Sequence, residues 1–216
     1  LGLAVVLGVL AIKAKRKLLA TSFLVAASLL VVSYAPQNWM ERMQTFLAGD
    51  LDASAQGRIN AWKFSWNLAM DYPVTGGGFG TFSPDLFERY APDPTDFHGP
   101  HSIYFQMLAE QGFVGLTLML LLLGSVLYSL RRLRKKVQQV PTAHSLGPYS
   151  HALETGLYAF IVSGAFLGRA YFDLWFQFIA CVVLLKIFYD KERLRQAEEQ
   201  ELARSRELEE EVSYAT

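Results

Sequence analysis

Cysteine is almost absent. Cys181 is the one cysteine in 216 residues, which excludes an internal disulfide and leaves packing within its apolar run as the simplest role. Net charge is absent too, at a formal value of zero, and no nucleic-acid partner is expected. The glycines at 76, 77, 78 and 80 have no strand before them and no Lys-Ser/Thr pair after them, so neither a dinucleotide fingerprint nor a P-loop is present. Histidine is scarce. His98 and His101, with Asp96 or Glu110 as a third ligand, make an incomplete metal site, and Gly99 and Pro100 break the helical face that would align the two rings. No metal and no cofactor are expected.

What the chain has is apolar length. Hydrophobic residues make up 52% of it, in runs long enough to cross a bilayer. The expected class is an all-α, polytopic integral membrane protein. Residues 1–35 are read as transmembrane helices, the first being the second half of a span in a longer protein. Residues 36–111 form a large outer loop with short helices, and residues 112–190 hold three further transmembrane helices, at 112–130, about 152–167 and 174–189. Residues 191–216 are a charged tail, read as a solvated helix. Lys13 to Lys17, the cluster Arg131, Arg132, Arg134, Lys135 and Lys136, and Lys191, Arg193 and Arg195 then fall on one side. The positive-inside rule makes that side cytoplasmic and the loop 36–111 periplasmic, in a bacterial inner membrane.

Within the loop, residues 52–71 read as a helix whose apolar face carries Ile59, Trp62, Trp66, Ala69 and Met70. That face either lies in the outer interface, as Trp39 is expected to, or packs on neighbouring helices. Pro73 stops the helix. Ser83, Pro84 and Asp85 start a short one that ends near Tyr90, residues 91–99 are irregular, and Pro100 is the expected first residue of a third helix, interrupted by Gly112.

Chemistry is concentrated at residues 73–115. In the first turn of a helix, His101 would be held neutral by the dipole and so fit to accept a proton; alternatively it caps or packs. The same helix end suits a phosphate. Arg58, placed in the first turn of the tryptophan helix, is the preferred anion partner, because guanidinium stays charged and forks onto phosphate. Arg42, Arg89 and Arg169 are rivals. Gly76, Gly78 and Gly80 permit close approach of a ligand or simply form a tight turn.

The run GRINAWKFSWNLAMDYPVTGGGFGTF, a spacer and then HSIYFQMLAEQGFVGL resembles the C-terminal half of the bacterial O-antigen ligase and polymerase superfamily. The segments ERMQTF, DASAQGRINAW, FERYAPDP, HSIYFQ and AYFDL are most similar to O-glycosylation ligases associated with exosortase A systems. The resemblance covers roughly residues 36–190. It implies a bundle of the glycosyltransferase C type that moves a glycan from an undecaprenyl-pyrophosphate carrier to a glycan, lipid or protein acceptor at the periplasmic face, without metal or nucleotide sugar. His101 corresponds to the histidine that activates the acceptor hydroxyl, and Arg58 to an arginine holding the carrier pyrophosphate. Gly76, Gly78 and Gly80 match the family turn, while His98 and Tyr104 are supporting residues. Ser102 stands where the family often has asparagine. A repeat-unit polymerase of the same superfamily is the alternative. A non-catalytic flippase or scaffold is a further one, disfavoured because the spans carry almost no charge apart from Lys186.

Overall fold

The computed structural model describes residues 2–13, 16–34, 53–168 and 170–215. Pro36, Trp39, Arg42 and Arg169 lie outside them. The described residues are helical, without strands: α1 (Gly2–Lys13), α2 (Lys17–Ser33), α3 (Ala53–Asp71), α4 (Pro84–Tyr90), α5 (Ile103–Val137), a 3-10 helix (Pro141–Leu146), α6 (Gly147–Gly164) and α7 (Leu174–Ala215). They divide into two compact units, residues 1–121 with 158–172, and residues 122–157 with 173–216.

In the first unit α1 and α2 pack together, and α2 turns Leu18, Phe23 and Leu29 outward. Among the described residues, α5 is the one helix long and apolar enough to cross a bilayer. The break expected in it is present. Gly112 has φ +65° and ψ −167°, a conformation that only glycine adopts without strain.

Breaking a helix strands carbonyls that would have bonded four residues on, and the glycine turn takes them over. Phe113 N–H donates to the Pro73 carbonyl (2.8 Å) instead of back to Ala109, whose carbonyl accepts from Gly77 N–H (2.8 Å). Gly78 N–H donates to the Glu110 carbonyl at 3.1 Å. Residues 73–78 thus act as a clamp on the kink.

Three expectations are corrected. The third helix starts at Ile103, not Pro100, because the Trp62 indole N–H occupies the Pro100 carbonyl at 2.7 Å, so that this group is turned to the side rather than into a helical ladder. Ser102 is the residue that opens it, its carbonyl accepting from Gln106 N–H. On α3 the buried apolar residues are Ala61, Phe64, Leu68 and, from the expected face, Ala69, while Trp66 and Met70 of that face are 51% and 59% exposed. The helix has two apolar stripes, and Phe87 and Tyr90 of α4 select the one with Phe64. Ser83 does stand before α4, but its side chain makes no capping bond.

In the second unit, Leu133, Val137, Val140, Ala143, Leu185 and Tyr189 form the core. α7 continues without interruption from the apolar run into the charged tail. The expected span 152–167 is not free of charge: Glu154 is buried in it and meets Arg134 Nη1 at 2.7 Å and Arg131 Nε at 3.5 Å.

Candidate functional site

α3 is the platform of the site. Phe64 stacks on Phe87 with ring centroids 4.4 Å apart, within a cluster that includes Ala61, Leu68, Tyr90 and Ala109. Burying each large apolar side chain contributes about 1.5–3 kcal/mol. That anchoring lets the other faces of α3 carry polar work.

The segment 91–100 has no helix or strand of its own, so its buried backbone groups need partners. α3 supplies them. Asn60 Nδ2 donates to the carbonyls of Asp93 (2.7 Å) and Asp96 (3.0 Å), and its Oδ1 accepts from Asp93 N–H at 3.0 Å. Asn67 Nδ2 donates to the Tyr90 carbonyl at 2.9 Å. The Asp93 carboxylate is held below its ordinary pKa by the Thr95 hydroxyl and N–H that donate to it. Each neutral bond is worth about 1 kcal/mol, and together they make a loop without secondary structure into a fixed support.

His101 stands at the end of this support, exposed, at φ +43°. It is two residues ahead of α5 rather than in its first turn, so the dipole acts on it from just outside the helix, where the effect is weaker. Three contacts fix its surroundings. Trp62 holds the carbonyl immediately before it, and the indole stacks on Phe105 with centroids 4.9 Å apart and planes 8° from parallel. The backbone at Gly168 lies against His101, so close that a Cβ there would stand 3.2 Å from the His101 Cα.

Arg58 is the sixth residue of α3, in its second turn rather than its first. It is partly buried, and its Nε has no hydrogen-bond partner. Residues four apart share a helix face, so Arg58 lies one turn from Trp62, the residue that holds the backbone before His101. His98 Nδ1 meets Asp96 Oδ1 at 2.6 Å, and its ring rests on α3 where Gly57 leaves room; a Cβ at Gly57 would stand 2.7 Å from that nitrogen.

The remaining residues singled out in the sequence have structural tasks. Gly76, at φ +61°, approaches the kink so closely that a Cβ would sit 2.6 Å from the Ala109 carbonyl oxygen and from Gly112 N. Gly78 and Gly80 have positive φ but open space around them. Tyr104 donates to the Ile161 carbonyl at 2.6 Å, and burial pushes its phenol pKa up. Near it, the Gln106 side chain accepts from Ala170 N–H at 3.1 Å. Burial and then the Glu110 carboxylate push the Tyr171 phenol up to about 12. Asn60, Gly57 and Gly168 carry no motif of their own in the sequence; the nearest signal is the polar pair Asn60 and Asn67, two turns apart on α3.

Residues 1–120 match the family model described as O-antigen ligase. The chain belongs to the O-antigen ligase family. The matched residues run from α1 through the kink of α5, so Arg58, Trp62, the glycine clamp and His101 all fall inside them. Membership implies a membrane protein of O-antigen ligase or polymerase type, working on lipid-linked glycans in the inner membrane. No curated protein and no solved structure matches the chain.

Proposed function

We propose that the protein is a ligase that transfers a glycan from an undecaprenyl-pyrophosphate carrier to an acceptor hydroxyl at the periplasmic face, with His101 and Arg58 as its reacting-site residues. The observation that carries this reading is that Arg58 and Trp62 share one face of α3 and that Trp62 holds the Pro100 carbonyl just before His101, inside the segment that matches the family. His101, exposed and held by its backbone, takes the proton of the acceptor hydroxyl as that oxygen bonds to the anomeric carbon. The bond from that carbon to the carrier pyrophosphate breaks, and the electron pair leaves with the phosphate. Arg58, whose Nε has no protein partner, neutralises the departing charge. The reading invokes no metal and no nucleotide sugar. The sequence likeness to exosortase A-associated ligases suggests that subtype.

Transfer assayed in membranes from a deletion strain tests both roles. His101→Ala is expected to remove transfer, by a factor of roughly 100 or more for a lost general base, with insertion and donor binding retained. Arg58→Lys keeps the charge but loses the fork, and is expected to weaken apparent donor affinity about tenfold. Near-normal transfer by His101→Ala would overturn the assignment of the base.

A further inference from the structure

Away from this site, in the second unit, a polar cleft of about 260 Å³ lies between α5 and α7. On α5 it is lined by Ser129, Arg132 and Lys136, which recur three and four residues apart and so share one face. Lys186, Tyr189 and Asp190 of α7 face them. Lys186 is tethered to Ser129 Oγ at 3.1 Å, and Lys136 Nζ stands 5.9 Å over the Tyr189 ring. Among the described residues no carboxylate pairs with Arg132, Lys136 or Lys186. The one acid in the lining, Asp190, has Arg193 Nη2 at 3.9 Å.

Three cations around one cleft repel each other unless an anion joins them. A basic cleft between two helices, at the end of an apolar run, has the chemistry of a lipid phosphate site. The surface beside it has the other half of such a ligand. Val183 and Ile187, which flank Lys186 on α7, are exposed large apolar side chains, and exposed apolar surface of this kind needs an apolar cover.

We propose that this cleft binds the phosphate of an anionic phospholipid headgroup, with the acyl chains along the apolar surface of α7. Arg132 forks onto the phosphate oxygens, while Lys136 and Lys186 act as point charges on either side of it. The site is independent of the transfer chemistry and places no demand on His101 or Arg58.

The test is native mass spectrometry of the full chain, released from phosphatidylcholine vesicles with and without phosphatidylglycerol. Retention of phosphatidylglycerol over phosphatidylcholine is expected. Arg132→Gln, Lys136→Gln and Lys186→Gln should each weaken retention about fivefold, the equivalent of one charge near a membrane surface, and the triple variant should remove the preference. Arg204→Gln with Arg206→Gln, far along α7, should change nothing. The single variants carry the test if the triple variant loses helical content by circular dichroism. The proposal fails if the three variants retain phosphatidylglycerol like the wild type, or if the distal pair loses as much, which would mean diffuse charge. It also fails if inorganic phosphate displaces the lipid or binds where phosphatidylglycerol does not, which would make this a site for the free anion.

Discussion

At the scale of single residues, the backbone of His101 carries information that its residue type does not. A side chain at φ +43° is strained by about 1–2 kcal/mol relative to ordinary conformations, and such strain persists where neighbouring contacts over-determine it. Here the Trp62 bond to Pro100 and the close approach of Gly168 do so. A glycine at 101 would adopt the same conformation freely. His101→Gly is therefore expected to be more stable than His101→Ala by about 1 kcal/mol, a melting difference of roughly 2–4 °C for a chain of this size, while both lack transfer. Equal melting temperatures for the two variants would mean that position 101 is not strained.

At the scale of elements, α3 and the glycine clamp hold the site from two directions. In the proposed mechanism Trp62 is a positioning residue. Trp62→Phe keeps a ring against Phe105 but leaves the Pro100 carbonyl without its donor, a loss of about 1–2 kcal/mol. If that loss falls on the placement of His101, turnover drops about tenfold with little change in KM, and a fall in thermal stability alone would show that the bond serves folding only. The glycines divide by their surroundings. Gly78→Ala and Gly80→Ala meet open space and are expected to cost about 1–2 kcal/mol through φ alone, whereas Gly76→Ala must also displace two backbone atoms of the kink and should unfold at a clearly lower temperature. The ends of α3 and α4 and the break at Gly112 are legible in the sequence because proline and glycine act locally. The buried face of α3 is not, since Phe87 and Tyr90 choose between two apolar stripes from outside the helix. Nor is the start of α5, which depends on a bond between Trp62 and Pro100, 38 positions apart. Residue types pointed to His101 and Arg58 as candidates, but the left-handed backbone at 101 and the Asp96 partner of His98 belong to the tertiary structure.

At the scale of the whole molecule, the proposed chemistry requires residues 53–112 to face the compartment that holds the lipid-linked glycan, opposite the basic clusters. The buried Glu154 has Arg134 and Arg131 against it. A carboxylate near the start of an expected span is costly in lipid unless paired, and cations from the cluster after the α5 span meet it. Orientation can be read directly because Cys181 is the only cysteine. In a Cys181→Ala background, Val74→Cys places a thiol at an exposed position of the clamp, and Gln138→Cys places one at an exposed position just beyond the α5 cluster. A membrane-impermeant maleimide applied to cells with a permeabilised outer membrane should label position 74 and leave position 138 unlabelled until the inner membrane is opened. The reverse pattern would put His101 on the cytoplasmic side, where the acceptor chemistry proposed here has no place, and labelling of both in intact cells would remove the crossing by α5 altogether.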